Sequence, residues 1–137
     1  MALAKLDHVN IRTASLAPMI AFYETVLGFT AGARPPFGFP GAWLYCGDTA
    51  VVHLIEVGNA PEPGGDLRLE HFAFSASGLA DFLSQLRGQD CDYQIGVVPD
   101  FGIIQVNIHD PDGNHIHVDF APAEAASVSD EPALAAV

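Results

Sequence analysis

Six histidines are spread over 137 residues, and four of them occupy matched places. His8 and His53 lie 45 residues apart, and His71 and His117 lie 46 apart. Each falls in a stretch where apolar and polar residues alternate, the pattern of a half-buried strand. In the first stretch Val9 and Ile11 share one face, leaving His8, Asn10 and Arg12 on the other. His53 sits in Thr49–Val57 with Val51, Ile55 and Val57, and His71 shares a face with Ala73 opposite Phe72 and Phe74. In the last stretch His115, His117 and Asp119 oppose Ile116, Val118 and Phe120. Neutral imidazole suits divalent iron, nickel, cobalt, zinc and manganese. Four imidazoles at repeated positions therefore point to a metal site with His8, His53, His71 and His117 as candidate ligands. His115 would join them only through a change of register, His109 belongs at an edge, and Asp119 is placed to orient His117 by a hydrogen bond.

The elements that must position these residues repeat as well. A strand over Lys5–Arg12 leads into a helix with Ser15 as N-cap, Pro18 in its first turn, and Leu16, Met19, Ile20, Tyr23, Val26 and Leu27 forming an apolar stripe that ends at Gly28. Arg34–Gly41 holds three prolines and cannot be helix or central strand. Its Phe37 and Phe39 either anchor the loop on its own domain or close over a ligand. Strands over Ala42–Cys46 and Thr49–Val57 follow. After a connector rich in glycine and proline the plan recurs: a strand over Leu67–Ser75, a helix marked by Leu79, Phe82, Leu83 and Leu86 and stopped by Gly88, then strands over Tyr93–Val98, Gly102–His109 and the final histidine strand. Asp110-Pro111-Asp112-Gly113-Asn114 makes the last reversal. Two look-alike halves indicate duplication. The expected organisation is one domain, residues 1–121, made of two units at about 4–58 and 66–121 joined by a linker at 59–65, with 122–137 as a disordered tail.

Formal net charge is −12, with 17 acidic residues against 5 basic ones. Nucleic acid and anionic membrane are excluded as expected partners, because phosphate binding needs clustered lysine and arginine. No apolar run is long enough to span a bilayer, and the first residues lack the apolar stretch of a signal peptide, so the cytoplasm is the expected compartment. Cys46 and Cys91 form no metal motif and read as free thiols.

Three segments carry a family resemblance: Leu6-Asp7-His8-Val9-Asn10-Ile11-Arg12-Thr13, Phe22-Tyr23-Glu24-Thr25-Val26-Leu27-Gly28-Phe29, and Asp110-Pro111-Asp112-Gly113-Asn114. Together they make residues 4 to 121 resemble the vicinal oxygen chelate superfamily of glyoxalase I, type I extradiol dioxygenases, fosfomycin-resistance thiol transferases, methylmalonyl-CoA epimerase and bleomycin-resistance proteins. The resemblance implies an α+β fold in which two βαβββ units form a cup-shaped mixed sheet with helices on the outer face. It also implies a homodimer and a divalent metal held by the first and last strands of the units, where His8, His53, His71 and His117 match. Many members carry a carboxylate where His53 and His117 stand. An all-imidazole set leaves the ion's charge uncompensated and removes a glyoxalase's carboxylate base; Glu56, three residues past His53, faces the other way.

The expected activity is that of a metal-dependent enzyme acting on a small oxygen-bearing substrate chelated to the metal, with a lean toward dioxygenase chemistry. The alternatives are a glyoxalase-type isomerase, lyase or thiol transferase, and a metal-free, drug-sequestering binder. Arg12, Trp43, Tyr45 and Asn107 are the candidate substrate-binding residues. Arg12 would read an anionic group, and the two aromatics would form a wall. No catalytic acid or base is assigned.

Overall fold

The structure, a computed structural model, describes residues 1–62, 67–129 and 131, and the backbone of 135 and 136. Most of the expected linker's far end and parts of the expected tail lie outside the described residues. The chain divides into two compact units, Met1–Gly64 and Gly65–Val137.

In the first unit, β1 (Val9–Thr13) is followed by α1 (Leu16–Thr25), β2 (Thr30–Gly32), β3 (Gly41–Cys46) and β4 (Thr49–Glu56). The sheet order is β1-β4-β3-β2, with β1 parallel to β4 and the remaining pairs antiparallel. Alternation decides which face is buried. Ala42 and Leu44 of β3 and Val52 and Leu54 of β4 join Met19, Tyr23, Val26 and Phe29 in the core. Trp43, Tyr45 and His53 therefore occupy the opposite face. Ser15 stands at the N-cap of α1 but its side chain makes no capping bond. Instead Thr13 Oγ1 accepts the Ser15 N–H at 2.9 Å. Gly28 takes φ +71°, the left-handed turn expected after the helix.

The second unit repeats this order: β5 (Phe72–Ser75), α2 (Leu79–Gly88), β6 (Gln94–Val97), β7 (Ile104–His109) and β8 (His115–Phe120). Again the leading strand lies parallel to the last, in the order β5-β8-β7-β6, and a short β9 (Ala135–Ala136) pairs with the outer edge of β6. Leu79, Leu83 and Leu86 of the helix pack with Ile104, Val106, Ile108, Ile116, Val118 and Phe120 as its core. The reversal before β8 is built by Asp110, whose Oδ1 accepts the Asp112 and Asn114 backbone N–H groups at 3.0 and 2.9 Å. Gly113 supplies the positive φ there. The chain is thus α+β with two βαβββ units.

The element boundaries differ in detail from the alternation. The leading strands are shorter than the alternation suggests: residues 5–8 and 67–71 precede β1 and β5, and Leu67 and Leu69 are exposed. Helix α2 ends at Gly88 as expected, with Asp90 rather than a glycine as the left-handed residue after it at φ 51°. Regular structure is also found among the described residues after Ala121. Pro122–Val128 forms a 3-10 helix with Val128 buried, and Glu131 accepts from Arg87 Nη1 at 3.0 Å. Glu124 Oε1 accepts the N–H groups of Gly78 and Leu79 at 3.0 and 2.8 Å. It thereby supplies the cap that Gly78 cannot give to α2.

Candidate metal centre and adjoining cleft

Register explains the repeated histidines. In the first unit Asn10 is the cross-strand partner of His53, and in the second Ala73 is the partner of His117. His8 and His71 lie two residues before those partners, on the same face of their respective sheets. Each unit therefore brings the histidine ahead of its first strand beside the histidine of its last strand. The ring centroids are 3.8 Å apart for His8 and His53, and 4.3 Å apart for His71 and His117.

The outer nitrogens of three of these rings are committed to carboxylates. His8 Nδ1 donates to Asp7 Oδ1 at 2.7 Å, and His117 Nδ1 donates to Asp119 Oδ1 at 2.6 Å. His71 Nδ1 donates to Glu70 Oε2. A proton held at Nδ1 leaves the Nε2 lone pair as the ligand atom, which is the arrangement found behind metal-bound histidines. Asp7 and Glu70 are held ionised below the usual carboxylate range, chiefly by these histidine hydrogen bonds. In each unit the paired imidazoles suit a divalent ion by donor type, and Asp7, Glu70 and Asp119 would place negative charge one layer further out. Asp7 and Glu70 were missed because a residue adjacent to a histidine points away from it in an ideal strand; both lie just ahead of the strands, where that rule lapses.

His53 is arranged differently. Its Nε2 faces the Ala50 carbonyl oxygen at 3.0 Å, leaving Nδ1 as its available lone pair. Its ring is stacked between His8 and Trp43, the latter at a centroid distance of 4.1 Å. Burial, then the neighbouring His8, pushes the His53 pKa below its ordinary value, which keeps the ring neutral and able to ligate.

His115 is engaged at both nitrogens, with Nδ1 3.0 Å from Glu70 Oε1 and Nε2 2.8 Å from Asn107 Oδ1. The Asn107 amide is oriented by its Nδ2 donating to the carbonyls of Gln94 and Gln105. Glu70, His71 and His115 also offer ligand atoms all within 4.8 Å of one another. His109 is exposed at the end of β7, with its ring stacked near that of His115.

Of the candidate substrate-binding residues, Trp43 and Tyr45 line a cleft of about 560 Å3 in the first unit together with His8 and His53. Arg12 is exposed on β1 and is absent from the lining of this cleft, and Asn107 of the second unit holds His115. In the proline-rich loop Phe37 and Phe39 stack on each other while the Arg34 guanidinium carbon lies 4.9 and 5.0 Å from their ring centres. Arg34 Nη2 also donates to the Phe39 carbonyl at 3.0 Å. Phe37 and Phe39 are 44% and 43% exposed, so the loop is braced from within and still presents aromatic surface.

No helix among the described residues is long and apolar enough to cross a membrane. The chain is 32% identical over 126 residues to a protein of Arabidopsis thaliana named Glyoxylase I 4, spanning 85% of this chain and 70% of that protein. Its fold matches the crystal structure of a glyoxalase family protein from Bacillus anthracis with a TM-score of 0.73 at 23% identity, over 88% of this chain and 98% of the other. It also matches a lactoylglutathione lyase from Agrobacterium tumefaciens with a TM-score of 0.66 at 19% identity, over 90% of this chain and 98% of the other. The Glyoxalase/Bleomycin resistance protein/Dioxygenase superfamily model matches residues 5–118, and with the duplicated βαβββ units and paired histidines already described, the chain belongs to that superfamily.

Proposed function

We propose that the protein is a metal-dependent enzyme that acts on a small oxygen-bearing substrate, with His8 and His53 of the first unit and His71 and His117 of the second as candidate ligands for divalent metal. The observation that carries this reading is the set of three carboxylate–histidine pairs, Asp7–His8, Glu70–His71 and Asp119–His117, each leaving an imidazole Nε2 free. Carboxylates so placed have a use at a metal site, since they fix the tautomer and raise ligand basicity. When bound, the ion supplies Lewis acidity toward substrate oxygens.

Dioxygenase chemistry is the leading reaction class. Every position that matches a family ligand is an imidazole. Asp7, Glu70 and Asp119 are each engaged with a histidine, which argues against a free carboxylate acting as base. Reconstitution with Fe(II) under anaerobic conditions, followed by oxygen uptake across catechols and diketones, tests this. Uptake that depends on Fe(II) and on His117 supports it, and no turnover with a fully iron-loaded protein defeats it.

One observation favours a second reading. The relative named Glyoxylase I 4 suggests a lyase or isomerase. Loading with Ni(II) or Co(II) and assaying hemithioacetal conversion separates the two, since a lyase turns over without oxygen.

A further inference from the structure

The cleft of the first unit has a chemical character of its own. Phe37, Trp43 and Tyr45 give it aromatic walls, and Asp7 and Asp48 give it carboxylates. Among the described residues no lysine or arginine lines it. The chain has only 5 basic residues, and of these Arg34 packs behind the Phe37 wall of the cleft while Arg87 belongs to the second unit. Arg34 is stacked against Phe37 and Phe39 and donates to the Phe39 carbonyl, and Arg87 is bound to Glu131 and Tyr93. Lys5 lies near enough to Asp7 to help hold it ionised. A cavity with aromatic faces and acidic groups attracts positive charge twice, through the ring quadrupoles and through Coulombic attraction, and repels negative charge.

We propose that this cleft selects among substrates by the charge of the portion remote from the chelating oxygens: it takes flat, aromatic compounds whose tail is neutral or cationic, and it discriminates against anionic ones, including adducts of acidic thiols. The inference rests on the enzyme reading above for the word substrate, while the binding preference itself belongs to the cleft. Trp43 is the only tryptophan in the chain and lines the cleft, so its fluorescence reports occupancy directly. Asp48 sits on the exposed turn between β3 and β4 and bonds locally to Thr49, so replacing it leaves the core untouched.

The test is a Trp43 fluorescence titration with three catechols that differ only in the side chain, aminoethyl, ethyl or carboxymethyl, on the full chain before and after chelator treatment. The expected order is aminoethyl tightest and carboxymethyl weakest, the extremes separated by about tenfold at low ionic strength, as expected when a tail changes sign near partly solvated carboxylates. The gap should narrow at high salt and shrink roughly threefold in Asp48→Asn, with an unchanged melting temperature. Equal affinities, a preference for the carboxymethyl compound, or no Trp43 response to any of the three would overturn the inference. Metal content and oxygen uptake, measured on the same preparation, judge the enzyme reading separately. A charge preference that persists in metal-free protein leaves the cleft inference standing even when turnover is absent, and turnover without that preference sinks the cleft inference alone.

Discussion

Asp119→Asn isolates what an outer carboxylate contributes. Asp119 lies on β8 two residues past His117, accepts the His117 Nδ1–H at 2.6 Å, and is about a quarter exposed, with 27% of its side-chain surface open to solvent. His117 is 6% exposed, so its ring depends on this partner. Asparagine keeps an oxygen that can accept the same hydrogen bond but removes the charge that raises imidazole basicity. Loss of an outer partner of this kind typically costs 10- to 100-fold in metal affinity, which is about 1.4 to 2.8 kcal/mol. Stability should change little in Asp119→Asn. In Asp119→Ala the buried Nδ1–H has no acceptor, and about 1 to 3 kcal/mol of folding stability should go with it. Competition against a chromophoric chelator for Ni(II) or Co(II) measures the first effect, and thermal unfolding of chelator-treated protein measures the second. Glu56→Gln is the control, because Glu56 is an exposed carboxylate at the end of β4, next in register to Thr13. Wild-type metal affinity in Asp119→Asn, or an equal loss in Glu56→Gln, would refute the reasoning.

Further predictions address the scaffold. Glu124→Ala removes the acceptor for two N–H groups at the start of α2 and a negative charge at that helix end, so it should cost about 1 to 2 kcal/mol of stability, seen as a lower melting temperature, with Glu124→Gln intermediate. Gly41→Ala places a methyl group against the Leu54 carbonyl oxygen and the Arg34 guanidinium; because the carbonyl belongs to the sheet backbone and cannot yield, a loss of at least about 2 kcal/mol is expected in denaturant titration. The lowered pKa of His53 means that the unfolded chain takes up that proton before the folded one does. Its contribution is therefore present above about pH 6.5 and lost as pH falls toward the folded value, and His53→Gln should flatten the melting temperature of metal-free protein in that range.

The alternation of Ile104–His109 and His115–Phe120 was readable because one face of each strand is buried and the other is not, so the sequence period and the burial pattern coincide. β2 had no such signal: Thr30, Ala31 and Gly32 are all exposed, and their strand exists only because β3 offers a partner. The 3-10 helix at Pro122–Val128 escaped for a related reason. The alanines, glutamates and serines of that segment carry no strong period, and its contacts are distant in sequence, Glu124 with the start of α2 and Glu131 with Arg87. The pairing of His8 with His53 and of His71 with His117 was legible from spacing. The tautomer each adopts was not, because it depends on which neighbouring oxygen a side chain reaches. Asp7-His8 and Glu70-His71 look like ordinary dipeptides until the chain ahead of the strand turns the acid toward the ring.

Comparing the two units at equal register separates what duplication kept from what it changed. Both retain an acid–histidine doublet just before the first strand and a histidine on the last strand, one cross-strand step from Asn10 or Ala73. The neighbours of those last-strand histidines have diverged. On the adjoining strand, Trp43 is the register partner of His53 where Asn107 is the partner of His117. Val51 precedes His53 by two residues where His115 precedes His117. The first unit therefore spends these positions on apolar and aromatic surface, and the second spends them on the Glu70–His115–Asn107 hydrogen-bond chain. On the proposed function, this division would leave ligand selection to the first unit and polar support of the histidines to the second. Exchanging the partners tests it: Trp43→Asn should weaken binding of aromatic ligands with metal affinity nearly intact, and Asn107→Ala should do the reverse, as read by ligand titration and chelator competition on the same proteins.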